Sequence, residues 1–486
     1  MTGRLLEDLI FLSATDLAKL VRRGDVSPVE LTRAYLQRIE ALDPVLNSYV
    51  TVLAEQALEA AKSAERSVIR KDTLPPFHGV PVALKDLTLT KGIRTTFSQK
   101  SYAHYVPDVD SYTAESIRQA GFIVLGKTNT PELGTVPVTE SELNGDCRNP
   151  WNTDLTPGGS TGGGAAALAA GLCPIAQGSD GGGSIRIPAS CCGLFGLKPS
   201  RGRISSGPLL GESVHGLATD GVITRSVRDA AGVLDILSGY KTGDPYWAPP
   251  PERPFAQEPG AGPGRLRIAF TTAAPTGSEV TADAVAAVED AASLLADLGH
   301  EVTEEAPNWE GGDIVALFLA VWQTCSAPLP LPDQGVLEPF NKELADSAAR
   351  TSSLDYVRAV AGLHRFARRV VRFWDRHDFL LTPATAMKAV PVGWLFEGQE
   401  EDPWTCFHKG VAFTPFTPIA NLTGQPAASL PLYWTAGQDP LGAHVIGPPG
   451  GDTLVLRLAA QIEEARPWAG KRPPVGSRPS QKIRRR

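Results

Sequence analysis

The sequence predicts an α/β protein whose sheet is covered by helices on both faces. Short, wholly apolar runs suit buried strands, and helical stretches alternate with them. The front of the chain differs, reading as helices alone.

Taken in order, Ser13 to Leu42 reads as two amphipathic helices. Ser13 caps the first and Gly24 stops it; Ser27-Pro28-Val29-Glu30 opens the second with a cap, a proline at the first helical position and an acid in the first turn. A third helix is expected over about Leu53 to Val68. From Gly79 the texture changes. Val80 to Leu84 and Phe122 to Leu125 are short apolar runs, with helical stretches at Tyr112 to Gly121, Gly164 to Ala170 and Val227 to Leu237. Residues 242–264 are rich in Pro and Gly and read as a surface excursion. A strand resumes at Leu266 to Phe270, followed by a helix (Ala282 to Leu298), a strand near Glu301 to Glu304 and a buried strand at Asp378 to Pro383. Residues 306–350 and 390–416 carry many aromatics and read as irregular.

The 486 residues include 48 Gly and 41 Pro, about 18% against an average near 12%. With no collagen-like period, that excess points to turns and Gly-rich functional loops. The net charge is −7, but seven basic residues and no acid lie between Lys471 and Arg486. The rest therefore carries 39 basic against 53 acidic residues, a balance that repels phosphate backbones and argues against nucleic acid as partner. The tail reads as a disordered, solvated end. The six cysteines show no CxxC spacing and the eight histidines no HxxxH cluster, so no metal site is expected, and reduced thiols fit a cytoplasmic location. No apolar run suits a membrane span, and Glu7 and Asp8 stand where a signal peptide would be apolar.

Two short motif matches fail on physical grounds. Gly121-Phe-Ile-Val-Leu-Gly126-Lys127-Thr128 spells a phosphate loop, but its four bulky apolar residues belong in a strand. Gly158-Gly159-Ser160-Thr161-Gly162 spells a nucleophile elbow, but a polar segment ending in Pro157 precedes it where a strand is needed. Residues 178–188 are more telling. They read as a Gly-rich turn in which Gly181, Gly182 and Gly183 let backbone N–H groups converge, with the Ser184 hydroxyl beside them. Such a nest of donors suits a developing oxyanion.

Several spaced stretches together resemble the amidase signature family: Gly79-Val-Pro-Val-Ala-Leu-Lys-Asp86, Gly126-Lys-Thr-Asn129, Arg148-Asn-Pro-Trp-Asn152, the run Gly158 to Gly171, then Gly178 to Ala189 and Gly193 to Pro199. The resemblance is dense from about 79 to 205 and weaker at 13–50 and 378–467. It implies an amidase-signature fold with a central mixed β-sheet, forming one domain over 1–470. Within it, 1–75 is a helical front end, 76–240 the signature core and 265–470 a second half with substrate loops; the basic tail is 471–486. It also implies a Ser-cisSer-Lys triad: Ser184 as nucleophile, Ser160 as the bridging serine after a cis peptide bond, and Lys85 as base. The N–H groups of Gly181, Gly182, Gly183 and Ser184 would form the oxyanion hole. Ser179 would orient Lys85 or Ser160, and Asp180 and Arg186 would form a buried pair shaping the loop. No metal or organic cofactor is implied. A lysine base must be neutral, and lowering its pKa by about three units costs about 4 kcal/mol, within reach of burial. Thr161 stands where many members have a second serine, Gly181 where Thr or Ile is frequent, and His444 where Gln is common.

The implied reaction is hydrolysis of an amide C–N bond through an acyl-enzyme. The aromatic segments favour an apolar or aryl amide, and texture is closest to hydrolases of cyclic oligoamides, aryl acylamides or carbamates. The expected partner is a small-molecule amide or carbamate; oligomeric state is left open, a homodimer included. Two other readings stand beside it. A glutamyl-tRNA amidotransferase A subunit usually has Gln where this chain has Ile187, and an inactive binding protein would lack one of Lys85, Ser160 and Ser184.

Overall fold

The structure is a computed structural model and describes residues 9–310, 313–327 and 334–477. Its centre is one eleven-stranded mixed sheet. In chain order the strands are β1 (Tyr49–Val52), β2 (Pro81–Lys85), β3 (Ile123–Thr128), β4 (Ala176–Asp180), β5 (Phe195–Lys198), β6 (Thr219–Thr224), β7 (Arg267–Phe270), β8 (Glu301–Glu304), β9 (Phe379–Pro383), β10 (Ala427–Trp434) and β11 (Pro440–Ile446). Across the sheet they run β1-β3-β2-β4-β6-β5-β10-β11-β9-β7-β8. Strand β2 lies parallel between β3 and β4, and β7 lies parallel between β8 and β9. Antiparallel pairs fill the middle, where β5 joins β10 and so fuses the two halves of the chain.

Every residue of β2, β5, β9 and β11 is buried, as strands covered on both faces require. The Gly162–Ala169 helix packs on β4, β2 and β6, and the Ala282–Asp297 helix on β9, β10 and β11. Gly-Ala composition lets the first of these sit close: a Cβ on Gly163 would meet the Asn129 backbone N at 2.4 Å. At the front, the predicted caps are in place. Ser13 Oγ accepts from the Asp16 N–H, Gly24 ends the Ala14–Arg23 helix at φ 78°, and Ser27 caps Pro28–Leu46. Asp229 binds the N–H groups of Ala14 and Thr15, tying this front end to the Val227–Leu237 helix.

Three expectations are corrected. The segments 306–350 and 390–416 are not irregular: they hold the helices Ile314–Trp322, Pro339–Arg350 and Trp404–Phe413, the first capped by Asp313 and the second begun by a proline. Residues 178–188 are not all turn, since β4 runs to Asp180 and a helix, Arg186–Cys192, starts two residues after Ser184. The basic segment is not a solvated end from Lys471 on, since its first residues lie against the body. The Lys471 ammonium lies 4.9 Å from the Trp434 ring centroid, the Arg472 guanidinium 4.1 Å from that of Phe11, and Pro474–Ser477 forms a helical turn. The remaining basic residues of the tail, Arg478 to Arg486, lie outside the described residues. No helix among the described residues is long and apolar enough to cross a membrane.

Candidate active site

Lys85 is the last residue of β2 and is fully buried. Its Nζ lies 2.8 Å from Ser160 Oγ and 3.2 Å from Ser179 Oγ, both hydroxyls that can donate to a neutral amine. Burial pulls its pKa from about 10.5 down to about 7, against the opposing charges of Asp180 and Asp220. Ser160 follows a cis peptide bond from Gly159. Only glycine fits at 159, because a Cβ there would stand 2.2 Å from the Val138 carbonyl oxygen. The extra methyl group of Thr161 is accommodated by Gly178, whose Cβ would lie 2.4 Å from Thr161 Cγ2.

Ser184 sits one turn beyond β4, its carbonyl accepting from the Thr161 N–H at 3.1 Å. Its hydroxyl borders the same cavity as Ser160 and Ser179. Among the described residues no hydrogen bond joins the Ser160 and Ser184 side chains, so the linked chain runs Ser179–Lys85–Ser160 and does not extend to Ser184, which lines the same cavity.

The oxyanion set is narrower than the sequence suggests. The Gly183 N–H donates to Asp180 Oδ1 at 2.8 Å and is therefore not free for a ligand. The N–H groups of Gly181, Gly182 and Ser184 donate to no protein group among the described residues. Glycine at 181 does not leave a gap either. The Trp322 ring occupies the space, and a Cβ at 181 would approach its Cζ3 to 3.0 Å.

Asp180 and Arg186 form the expected buried pair, held by two hydrogen bonds of 3.0 and 2.8 Å. Asp180 also accepts from the N–H groups of Gly183, Ile185 and Arg186 and from Asn421 Nδ2. Burial alone would raise its pKa; the Arg186 charge and these bonds reverse that and hold the carboxyl well below the usual range. The other side of the guanidinium donates to the Thr417 carbonyl, Asn421 Oδ1 and His444 Nε2.

That last contact supplies the account of His444 that the sequence lacks. Arginine can only donate, so Nε2 must be the unprotonated acceptor. The Thr382 hydroxyl donates to the Pro383 carbonyl and so accepts from Nδ1–H, 3.0 Å away. Burial, with Arg186 beside it, holds the ring neutral. His444 is thus a backstop for Arg186, as are Thr417 and Asn421. None of the three has a local signal of its role, because each acts across more than 200 residues of sequence.

Two cavities meet at Ser184. One is almost wholly apolar, walled by Val136, Ile187, Phe318, Trp322, Phe340 and Phe407, and reaches Gly182. The other contains Ser160, Ser179, Gly181, Ser213 and Glu212. Trp322 borders both, stacked on Phe318 with ring centroids 5.1 Å apart and its Nε1–H bound to the Thr135 carbonyl. Phe318 and Trp322 lie in the aromatic-rich segment 306–350; their place beside the Ser184 loop comes only from the fold. The two discarded motifs stay discarded: residues 123–128 are strand β3, and no strand leads into Gly158.

A mixed sheet carrying a lysine, a serine after a cis peptide bond and a second serine in a Gly-rich loop defines a recognisable class of hydrolase. The family described as Amidase matches residues 30–328 and 331–456, and the chain belongs to it, the amidase signature family of amidohydrolases. It is 38% identical to a 6-aminohexanoate-cyclic-dimer hydrolase of Paenarthrobacter ureafaciens, over 98% of each chain. A solved 6-aminohexanoate cyclic dimer hydrolase in complex with substrate superimposes with a TM-score of 0.90 at 35% identity, covering 96% of this chain and 99% of that one. A bacterial aryl acylamidase of the same family superimposes with a TM-score of 0.86 at 25% identity, covering 97% and 99%.

Proposed function

We propose that this chain hydrolyses the C–N bond of an apolar or aryl amide, an oligoamide or a carbamate through an acyl-enzyme on Ser184. The observation that carries this reading is the fully buried Lys85 amine, 2.8 Å from Ser160 Oγ at the edge of the Ser184 cavity. With a pKa near 7 the amine can accept a proton at neutral pH. A rotation of the Ser184 hydroxyl toward Ser160 completes the relay when substrate binds. Ser184 Oγ then adds to the carbonyl, its proton passes to Ser160 Oγ, and the Ser160 proton passes to Lys85 Nζ. The oxyanion rests on the N–H groups of Gly181, Gly182 and Ser184. On collapse the C–N bond breaks, the departing nitrogen takes a proton from Ser160, and Lys85 returns one to Ser160. Water repeats the sequence on the ester.

The two cavities support an orientation. The leaving nitrogen must lie where Ser160 can reach it, and Ser160 borders only the polar cavity. The acyl part therefore occupies the apolar one, whose aromatic walls suit an alkyl chain or aryl group. The names of the cyclic dimer hydrolase and the aryl acylamidase support amides of these kinds. All six cysteines are unpaired, which suits a reducing cytoplasm.

The test is a panel of aryl amides, cyclic and linear oligoamides, carbamates, esters and glutamine, run beside labelling by a fluorophosphonate. Turnover of the apolar members, with labelling lost in Ser184→Ala, is expected. Turnover of glutamine alone, or labelling that persists in Ser184→Ala, would overturn the reading.

A further inference from the structure

We propose that Asp220 is the positioning residue that sets the protonation state of Lys85, acting across Ser179. This rests on Lys85 being the base. Asp220 on β6 is the register partner of Ser179 on β4. Directly paired residues of antiparallel strands have Cβ atoms about 5 Å apart. Ser179 Oγ is in turn 3.2 Å from Lys85 Nζ, so the carboxyl stands one side chain away from the amine.

The charges around the amine separate two acids that otherwise look alike. Asp180 also acts on Lys85, but its charge is already matched by the Arg186 guanidinium, by three main-chain N–H groups and by Asn421, with Lys198 nearby. Among the described residues the Asp220 carboxyl has no such partner. It accepts one hydrogen bond there, from the neutral Thr113 hydroxyl at 2.5 Å, and the cation acting on it is Lys85. Burial works against charge on both members of this pair, pushing the lysine down and the aspartate up. An ionised Asp220 therefore offsets burial and keeps the lysine from becoming too weak a base. When Ser160 delivers its proton, the new ammonium faces a carboxylate that no other cation has neutralised.

The experiment follows the rate of Ser184 phosphonylation by a fluorophosphonate from pH 4.5 to 9, in wild type, Asp220→Asn, Thr113→Val and Lys85→Ala. The asparagine retains shape and a hydrogen-bonding oxygen but not charge. Its acid limb is expected to move down by roughly one pH unit, the usual effect of a nearby opposite charge. Thr113→Val removes the donor that favours the ionised carboxyl and should move the limb the same way by less. If Asp220→Asn folds poorly, the Thr113→Val shift alone decides. An acid limb unmoved in both variants overturns the role of Asp220 while leaving Lys85 as base. A wild-type profile with no acid limb, or a Lys85→Ala protein that labels at the wild-type rate, overturns the base assignment and the proposal together.

Discussion

Two regions face each other across Ser184, and they are built by opposite means. The Ser184 loop is held by directional contacts: a buried ion pair, three main-chain donors on one carboxylate and the Thr417–Asn421–His444 group behind Arg186. The wall opposite is held by apolar packing of rings from three helices, with few hydrogen bonds among them. Directional bonds fix an angle, so the loop has little freedom to change shape. Apolar packing tolerates exchange of shape at nearly constant volume, so the wall can change without disturbing the loop, and in the proposed orientation it is where a different acyl group would be admitted.

Substitutions at the reacting groups should give the largest effect. Ser184→Ala or Lys85→Ala is expected to lower kcat by at least about 10³-fold, as when a member of a triad is removed. With Lys85 as the proposed base, the wild-type rate should climb as pH rises toward about 7, where the amine loses its proton, and then level off. Steady-state kinetics over that range check both statements.

The loop itself should break next. Arg186→Met leaves Asp180 as a buried charge without its partner, a change that costs about 3–5 kcal/mol. Denaturant unfolding should show that loss, together with reduced fluorophosphonate labelling, whereas a wild-type unfolding midpoint would show that the pair does not hold the loop.

On the wall the effect should be smaller and of another kind. Trp322→Ala joins the two cavities and removes one side of the proposed acyl site. KM for bulky apolar amides should rise about 10-fold with kcat little changed, the range of a lost apolar contact. A fall in kcat at constant KM would instead assign Trp322 to the shape of the Gly181 loop, which its ring also touches.

The smallest effect concerns how the wall is fastened. Glu338 stands at the start of the Pro339–Arg350 helix, which carries Phe340, and its N–H donates to Glu132 Oε2. Burial pushes Glu338 up to about 8 and Glu132 up to about 7, and each raises or faces further carboxyls, with Glu142 and Lys100 beside them. Both values lie above those of an unfolded chain, so the stability here is whole below about pH 4 and is lost as pH rises through 7 and 8. Amide exchange in that helix should quicken a few-fold between pH 6 and pH 9, after correction for intrinsic rates, and do so less in Glu338→Gln.

Much of this was legible in the residues. Caps at Ser13 and Ser27 and the apolar runs before Lys85 and Lys127 are local signals, and the structure uses them locally. The positions of Lys85, Ser160 and Ser184 came from spaced motifs taken together, since no single one of them distinguishes a reactive serine from a tight turn. Strand β4 was not legible, because Ala-Gln-Gly-Ser-Asp has little strand preference and is extended only because β2 and β6 pair with it. The wall helices were hidden by prolines and aromatics that mask helical periodicity. The engagement of Gly183 with Asp180 needs the loop's actual path, which glycine composition leaves open.

The fastening of Arg186 has a bearing on how the protein is made. Its partners Thr417, Asn421 and His444 lie 231, 235 and 258 residues further along the chain. A polypeptide still growing on the ribosome exposes Ser184 long before those partners exist, and N-terminal parts begin to fold first. The Ser184 loop can therefore take its final shape only after residue 444 has been made, long after the serine itself.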